Sequence, residues 1–288
     1  MSKTVLITGA SSGIGLTTAN KLHELGYRVY GTSRKNRVPN IYPFKMLTLD
    51  ITDQASVDRC INDIANQAGR IDILINNAGA SLIASAEDTT PSHIQQQLEV
   101  NFLGTTRVIQ TVLPVMRKAQ QGKIINISSL VGFAAIPFMS AYSASKFALE
   151  GYSEALYHEL LPLGIHVSLI RPGMVKTPFF KNGLIIDNKV TDYIDSFTRA
   201  KKSIEDHARK GVEPDLVAEK IISLCSNNTP PFLSRVGPDV KLVSRLKRLL
   251  PTSLFNKIWH KEFGLNQIRI PTKTNRPIKT QNETTAAK

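Results

Sequence analysis

A tyrosine and a lysine that share one face of a helix could carry out proton transfer. Tyr142 and Lys146 are four residues apart within residues 141–161, a stretch with helical apolar spacing, so both side chains lie on the same side. An ammonium beside a phenol favours the phenolate, and a tyrosine with an ordinary pKa of about 10 could then exchange a proton nearer neutrality. The pair alone is weak evidence, because many helices place these residues at this spacing. Its weight comes from Ser129, thirteen residues upstream, and from a glycine-rich turn near the N-terminus.

The glycine-rich turn has the local context of a dinucleotide-binding site. Residues 4–8 form an apolar, β-branched run, and from Ile14 onward the apolar residues recur with helical spacing, so the glycines lie between a strand and a helix. Glycine permits a tight turn and lets the backbone approach a pyrophosphate, which the helix N-terminus would hold. The spacing is Gly-x-x-x-Gly-x-Gly, and the alternative is an ordinary tight turn before a helix. The candidate residues are Gly9, Ser11, Ser12, Gly13, Ile14 and Gly15.

Strands and helices alternate along most of the chain. Further strands are predicted at residues 28–33, 45–49, 71–76, 123–128 and 166–170. Helices are predicted between them, at residues 56–68, 94–118 and 141–161. This alternation predicts an α/β fold with a doubly wound, mainly parallel sheet and helices on both faces, as in the Rossmann fold. Ligands of such sheets bind beyond the carboxyl ends of the strands, where the sequence places Gly9, Arg34, Asp50, Asn77, Ser129 and Pro172.

Taken together, these motifs resemble those of the short-chain dehydrogenase/reductase family, over roughly residues 3–236. Their order and spacing agree together, and no member of the family's usual catalytic set is missing. The stretch before Gly173 is also similar to that of steroid and retinol dehydrogenases. Beyond the glycine-rich turn, the resemblance is carried by Asp50, Asn76, Asn77, Ala78, Gly79, Asn101, Ser129, Tyr142, Lys146, Arg171, Pro172, Gly173, Val175 and Thr177.

The resemblance implies a catalytic role for each of four residues. Tyr142 would protonate a carbonyl oxygen or deprotonate an alcohol, and Ser129 would hydrogen-bond and polarise that oxygen. Lys146 would hold the hydroxyls of the nicotinamide ribose and lower the pKa of Tyr142. Asn101 would interrupt its helix locally and hold a water in a proton relay behind Lys146; without the other motifs it would read as a polar helix residue with no role.

The resemblance also implies which residues hold a nicotinamide cofactor. Asp50 would contact the adenine, with Ile51 beside it, and Thr177 would contact the carboxamide. Residues 76–79 would support the floor of the site. The implied cofactor-binding set is Gly9, Ser11, Ser12, Gly13, Ile14, Gly15, Arg34, Asp50, Ile51, Asn77, Ala78, Gly79, Tyr142, Lys146, Pro172, Gly173, Val175 and Thr177.

The end of the second predicted strand indicates which nicotinamide is used. An acidic residue there selects NAD through the ribose 2′-hydroxyl, whereas an arginine accommodates the 2′-phosphate of NADP. The strand is followed by Arg34 and Lys35, and no acidic residue occurs before Asp50. A planar guanidinium suits a phosphate, so the sequence favours NADP(H). The alternative is a solvated basic loop.

The net charge of +13 is concentrated at the C-terminus. Residues 241–288 hold eleven Lys and Arg against Glu262 and Glu283, which gives +9 and leaves +4 for residues 1–240. We expect residues 1–238 to form the catalytic domain, residues 239–265 a basic amphipathic helical extension and residues 266–288 a disordered tail. The helices of the extension would pack beside the substrate pocket or, alternatively, contact an anionic membrane surface weakly through residues 240–263.

Composition excludes several other classes. No secretory signal precedes the first predicted strand, and no apolar run approaches a membrane span, so we expect a cytoplasmic protein, or one peripheral at a membrane surface. The two cysteines and six histidines lack metal-ligand spacing, so no metal site is expected. No nucleic-acid recognition motif is present. The long helices at residues 94–118 and 141–161 indicate a homodimer or homotetramer, because the family commonly pairs these helices.

The segment at residues 174–213 corresponds to the family's substrate loop. It is rich in apolar and aromatic residues, which suits a bulky apolar small molecule such as a steroid, retinoid or lipid-like ketone. Its apolar residues are Met174, Phe179, Phe180, Leu184, Ile185, Ile186, Tyr193 and Phe197; they could equally pack the loop's own helices. We therefore expect an NADP-dependent oxidoreductase that works as a reductase. The alternatives are a catalytically silent nucleotide-binding regulator or structural subunit, an NAD-dependent dehydrogenase, and a 3-oxoacyl reductase.

Overall fold

The computed structural model describes residues 2–35, 42–186 and 189–265. Its strands are β1 (Thr4–Ile7), β2 (Arg28–Ser33), β3 (Lys45–Thr48), β4 (Ile73–Asn76), β5 (Leu82–Ile83), β6 (Gly122–Ile127), β7 (Ile165–Pro172), β8 (Leu184–Ile185) and β9 (Leu233–Val236). Its α-helices are α1 (Gly13–Glu24), α2 (Gln54–Ala68), α3 (Pro91–Leu98), α4 (Gly104–Ala119), α5 (Ser140–Leu160), α6 (Ile194–Arg209), α7 (Pro214–Ser226), α8 (Pro238–Leu249) and α9 (Thr252–Glu262).

Seven parallel strands form the central sheet, in the order β3-β2-β1-β4-β6-β7-β9. Alternate residues of β1 pack into two separate cores: Leu6 lies in a cluster with residues of α2 and α4, while Val5 and Ile7 lie in a cluster with residues of α1 and α7. Helices therefore cover both faces, and every residue of β1 and β4 is buried. The predicted doubly wound α/β fold is confirmed.

The order of the strands places one crevice at the reversal point of the sheet. The chain winds outward in one direction from β1 and in the other from β4, and these two strands are neighbours. Gly9 follows β1 and Asn77 follows β4, so the glycine-rich turn meets the end of β4 where ligands of such sheets bind. Fold topology therefore gathers motifs that lie far apart in sequence.

The long helix predicted at residues 94–118 is interrupted. Helix α3 ends at Leu98, the chain adopts a π-helical turn over Glu99–Leu103, and α4 begins at Gly104. The expected local interruption at Asn101 is thus confirmed. A turn of this kind widens the backbone hydrogen-bond spacing, and such turns are frequent at functional sites.

Helices α8 and α9 pack against the body of the protein. Phe255 and Phe263 are buried in one apolar cluster with Tyr142, and Trp259 Nε1 donates a hydrogen bond to the Ala135 carbonyl at 2.7 Å. Lys247 donates to the Phe133 carbonyl. The packing predicted for these helices is present, whereas the division of the chain into a catalytic domain and an extension stays a prediction. The tail at residues 266–288 lies outside the described residues.

Not every apolar residue of these two helices is buried. On α8, 56% of the surface of Leu242 and 76% of that of Leu249 is exposed. Leu254 of α9 is also exposed, at 45%. Only the positions that face the body of the protein can be covered, so the apolar arc of each helix extends beyond its contact with the domain.

Candidate active site

Tyr142 and Lys146 lie one turn apart in the first half of α5 and both line a single large cleft. Both are buried, with 4% and 5% of their surface exposed. Ser129 follows β6 in extended conformation and lines the same cleft. Lys146 Nζ donates a hydrogen bond to the Ile127 carbonyl at 2.9 Å, which ties the lysine to the end of β6. The structure thus brings these three predicted residues together.

Burial controls the acidity of this group of residues. It raises the pKa of Tyr142 to about 12, an effect that a hydrogen bond with Ser129 partly opposes. Burial also lowers the pKa of Lys146 to about 8, against the opposing charge of Glu150. The lowered Tyr142 pKa expected from the sequence is therefore wrong for the protein alone, because loss of solvation outweighs the neighbouring groups. Tyr142 is a protonated phenol at neutral pH.

Asn101 lies behind the cleft rather than in its wall. Its Oδ1 accepts a hydrogen bond from Ala80 N at 2.9 Å, and its Nδ2 donates to Ala80 O at 2.9 Å and to Ser145 Oγ at 3.0 Å. The side chain is fully buried. A Cβ at Gly79 would lie 3.2 Å from Asn101 Oδ1 and 3.9 Å from Lys146 Nζ, so Gly79 separates the asparagine from the lysine. The water-binding role of Asn101 stays a prediction.

The cleft that contains Tyr142 has a volume of about 840 Å³, within the range of small-molecule sites. It runs from the glycine-rich turn to the loop after β7. The predicted cofactor residues that line it are Gly9, Ser11, Ser12, Gly13, Ile14, Arg34, Asp50, Ile51, Asn77, Ala78, Gly79, Tyr142, Lys146, Pro172, Gly173, Val175 and Thr177.

Gly15 is the one predicted cofactor residue that does not line the cleft. A Cβ at this position would lie 2.3 Å from the Gly9 carbonyl oxygen and 2.5 Å from Asn77 Nδ2. The role of Gly15 is therefore packing, since only a residue without a side chain lets α1 approach the turn this closely. Gly9 itself has φ +70° and lies against the Ala78 backbone.

The end of β1 is cross-linked to the end of β4 by hydrogen bonds around Asn77. Its Nδ2 donates to the carbonyls of Thr8 and Gly9, both at 3.0 Å. The backbone N–H groups of Asn77 and Ala78 both donate to Thr8 Oγ1 at 3.0 Å. Thr8, the residue before Gly9, was not among the predicted site residues. It holds the turn in place, so the N–H groups at the start of α1 face the cleft and suit a phosphate.

The charged residues that line the far end of the cleft are Arg34, Lys35 and Asp50. Asp50 Oδ1 accepts hydrogen bonds from Thr52 N at 2.9 Å and Thr52 Oγ1 at 2.7 Å. Partial burial raises the pKa of Asp50, but these hydrogen bonds and the charge of Arg34 together hold it below its usual value. Asp50 therefore stays ionised at neutral pH, and Arg34 lines the cleft beside it.

Apolar side chains surround Tyr142 at the other end of the cleft. The rings of Tyr142 and Phe179 are 5.8 Å apart, and Phe180 packs edge-on against Phe179. The segment after Ser129 also lines the cleft, through Leu130, Val131 and Ile136. The sequence analysis did not predict these contacts, although the apolar composition of the segment could have indicated them. Of the residues expected from the substrate loop, Met174, Phe179 and Phe180 line the cleft, whereas Leu184, Ile185, Ile186, Tyr193 and Phe197 do not.

A largely buried ion pair, Glu150 with Arg171, lies beside Lys146 and was not predicted. Glu150 Oε1 accepts hydrogen bonds from Ser128 Oγ at 2.6 Å and from Arg171 Nε at 2.8 Å. A Cβ at Gly132 would lie 2.4 Å from Glu150 Oε1. Glu150 therefore anchors Ser128, which precedes Ser129, and lies close to Gly132 on the other side. Its position four residues after Lys146 was the only sequence signal.

The fold and this site define the class of the protein. The sequence pattern of the short chain dehydrogenase family matches residues 3–184. The chain therefore belongs to that family of oxidoreductases. Within the described residues no group of three His, Cys, Asp or Glu could hold a metal ion. None of the described helices is long and apolar enough to cross a membrane.

The chain is similar along most of its length to two curated proteins and one solved structure. A 3-ketodihydrosphingosine reductase of Bacteroides thetaiotaomicron is 44% identical over 253 residues, which cover 87% of this chain and 94% of that protein. Retinol dehydrogenase 8 of Bos taurus is 32% identical over 284 residues, covering 90% of this chain and 89% of that protein. The solved structure of ElxO with NADP bound is 29% identical, with a TM-score of 0.69, covering 82% of this chain and 97% of that chain.

Proposed function

We propose that this protein uses NADPH to reduce the ketone of a long-chain, lipid-like molecule, with a 3-keto long-chain amino alcohol as the first candidate. The observation that carries the proposal is the position of Tyr142. A protonated, buried phenol lies where a cleft lined by the glycine-rich turn meets an apolar cluster. One side of Tyr142 suits a dinucleotide and the other suits a hydrocarbon chain.

The choice of NADP(H) rests on Arg34 and Lys35, which follow β2 and line the cleft. Cationic side chains at this point suit a 2′-phosphate. The ElxO structure, which is similar to this chain, contains NADP. The residues present fit the cofactor, because Gly9 and Gly13 line the cleft at the start of α1, where a pyrophosphate can approach the backbone, and Lys146 lines the same cleft.

The choice of substrate rests on the apolar end of the cleft and on the similar reductase from Bacteroides thetaiotaomicron. Phe179, Phe180 and Met174 offer contact area to an alkyl chain, and burial of apolar surface stabilises such a complex. The similarity to retinol dehydrogenase 8 supports the same broad class of elongated apolar compounds. Asn182 is a polar residue on this side of the cleft and could meet a hydroxyl or amino group.

The chemistry follows from the protonation states of the site. NADPH, when bound, supplies the hydride that reduces the carbonyl carbon. Ser129 donates a hydrogen bond to the carbonyl oxygen, and Tyr142 transfers its proton to that oxygen, which completes the alcohol. The raised pKa of Tyr142 keeps the proton in place before the reaction. Lys146, a cation at neutral pH, lies one turn away and stabilises the phenolate that results.

A panel of carbonyl substrates tests the proposal. We expect rapid oxidation of NADPH with a 3-keto long-chain base, and slower oxidation with retinal, a steroid ketone or a 3-oxoacyl thioester. Preference for the thioester would support a 3-oxoacyl reductase instead. No turnover with any compound, despite tight NADPH binding, would support a regulatory role and overturn the proposal.

Titration with both cofactors tests the role of Arg34 separately. Removal of one charge-assisted contact with a phosphate should cost about 1.5–3 kcal/mol, so Arg34→Asp should weaken binding of NADPH and leave that of NADH nearly unchanged. Arg28→Asp, at an exposed position at the start of the same strand, is the control. Equal binding of both cofactors by the wild type would contradict the assignment.

A further inference from the structure

We propose that the outer faces of α8 and α9 bind an anionic lipid surface. The inference does not depend on the proposed reaction, because it rests on side chains that the catalytic cleft does not use. The relevant apolar residues are the exposed Leu242, Leu249, Leu254 and Ile258. The relevant cations are the exposed Lys241, Arg245, Arg248, Lys257 and Lys261.

On α8, apolar and cationic side chains alternate along one stripe. Leu242, Arg245 and Leu249 are three, then four residues apart, which places them on a common face. Leu249 is the more exposed of the two leucines, at 76%. Exposed side chains of this size cost free energy in water when grouped, so the spacing points to a partner that covers them.

Helix α9 also carries aliphatic and cationic side chains on one exposed face. Leu254, Ile258 and Lys261 are four, then three residues apart on α9, and Lys257 adds a further cation beside them. The opposite side of this helix holds Phe255 and Phe263, which are buried against the domain. Each helix therefore uses one face for the protein core and leaves a second apolar face free.

The cations on these faces have no acidic partner within the described part of the chain. Among residues 2–35, 42–186 and 189–265 no ion pair involves any of the five, whereas Glu262, the one acidic residue of α9, pairs with His207 at 2.9 Å. Lys247 differs from them because it donates to the Phe133 carbonyl and so holds α8 in place. Unpaired cations interleaved with aliphatic side chains match a surface that is both anionic and apolar, which describes an acidic bilayer interface. A nucleic acid would match the charge but not the leucines.

The position of this surface connects it with the cleft. The inner faces of the same two helices share one apolar cluster with Tyr142 and Phe179. Binding of the outer faces to a bilayer would hold that cluster close to the acyl chains. An apolar substrate could then pass between membrane and protein over a short path.

Vesicle sedimentation of the full-length protein, without substrate or cofactor, tests the inference. We expect the wild type to sediment with phosphatidylcholine vesicles that contain phosphatidylglycerol, and to be released by salt, since exposed charges are screened over about 8 Å at physiological ionic strength. Each basic residue near such a surface contributes a factor of about five in partitioning, from about 1 kcal/mol. The double variant Arg245→Ala, Arg248→Ala should therefore bind roughly 25-fold more weakly.

Two further variants distinguish insertion into the bilayer from attraction by net charge alone. The pair Leu242→Ser, Leu249→Ser should also reduce sedimentation, because insertion of the leucines is lost. The pair Arg117→Ala, Lys118→Ala removes the same charge from exposed positions at the end of α4 and should leave binding unchanged.

Four results would overturn the inference. The first is no sedimentation of the wild type at low salt, and the second is equal loss of binding in the Arg117→Ala, Lys118→Ala control. The third is stronger retention on DNA than on the vesicles, which would assign the face to nucleic acid. The fourth is a fall in molecular mass, measured by light scattering, in the Leu242→Ser, Leu249→Ser variant, which would assign the face to a second copy of the chain.

Discussion

Lys146 is a buried cation whose charge acts against the folded state. Its pKa in the fold is about 8, below the ordinary value of 10.5 that applies when the chain unfolds. Between these two values the unfolded state binds more protons than the folded state. The free energy of unfolding therefore rises with pH across this window.

Comparison with Lys146→Met measures this effect. The variant lacks the titrating group, so the melting temperature of the wild type should increase relative to that of the variant as pH rises from about 8 towards 10. Thermal unfolding followed by circular dichroism gives both values in matched buffers. A difference that stays constant over this range would show that the pKa of Lys146 is not shifted by folding, and a decrease would show that its pKa is raised.

Substitution of Glu150 should affect both stability and activity. The side chains of Glu150 and Arg171 are 10% and 17% exposed, and loss of one member of a buried pair costs about 3–5 kcal/mol. We expect Glu150→Ala to lower the free energy of unfolding by that order and to reduce kcat, because Ser128 and the adjoining Ser129 lose their anchor. Denaturant titration and steady-state kinetics measure the two effects.

Glu154→Ala is the matched control, since Glu154 lies one turn further along α5 and is exposed. It should change stability by less than about 0.5 kcal/mol. Equal effects of the two substitutions would mean that the contacts of Glu150 are unimportant.

Individual residues differ in how far the sequence could identify them. Tyr142, Lys146 and Ser129 could be found because their types and spacing carry a chemical meaning before any fold is known. Glu150 and Thr8 could not, since their roles depend on contacts with residues that are distant in sequence. The pKa of Tyr142 was predicted to be lowered but is raised, because burial, which dominates this pKa, is a property of the fold.

At the scale of elements, the loop after β7 is tied to the N-terminus of α8. Asp239 Oδ2 accepts a hydrogen bond from Met174 N at 2.7 Å, and a Cβ at Gly173 would lie 1.8 Å from Asp239 Oδ1. Gly173 and Met174 both line the cleft. The carboxylate therefore sets the distance between the start of the substrate loop and the C-terminal helices.

Gly173→Ala should displace this loop and lower kcat/KM with the ketone substrate. If the clash with Asp239 is the cause, the double variant Gly173→Ala, Asp239→Ala should recover part of the lost activity, although Asp239→Ala alone is harmful. A double-mutant cycle on kcat/KM gives the coupling, which neighbours of this kind show at about 0.5–3 kcal/mol. Strict additivity would show that the two elements are not coupled at this point.

Secondary-structure elements could be predicted where the sequence pattern of the element itself determines its type. Six of the seven strands of the central sheet were predicted, all but β9. The strands that are buried on both faces, such as β1 and β4, are continuous apolar runs. The pair β5 and β8, of two residues each, could not be predicted, because it depends on tertiary contacts such as the hydrogen bond from Leu184 N to Ser81 O at 2.9 Å. The interruption at Asn101 was foreseen only through family resemblance, since helix propensity alone favours a continuous helix.

At the scale of the whole molecule, the outer sides of α4 and α5 carry exposed apolar residues. Val108, Leu149 and Leu156 of these helices are buried in the core, whereas Phe147 is 45% exposed. Leu103, in the turn before α4, is 41% exposed. We expect these two side chains to lie in an isologous contact of a homodimer or homotetramer.

Light scattering at micromolar concentration measures the assembly. The wild type should have at least the mass of a dimer, and Phe147→Asp should dissociate it, because a charge would be buried in the contact. Leu25→Ser changes a similarly exposed leucine at the end of α1 and should leave the mass unchanged. A monomeric wild type would rule out the assembly.

The proposed reaction depends most on Tyr142 as the proton donor to a ketone, and one comparison tests that role directly. Phenylalanine keeps the ring packing of Tyr142 and removes only its hydroxyl. Turnover of NADPH with a 3-keto long-chain base should therefore fall by roughly 10²–10⁴-fold in Tyr142→Phe, while the dissociation constant for NADPH, from fluorescence titration, stays unchanged. A variant that binds NADPH normally and retains a third or more of the wild-type rate would contradict the mechanism.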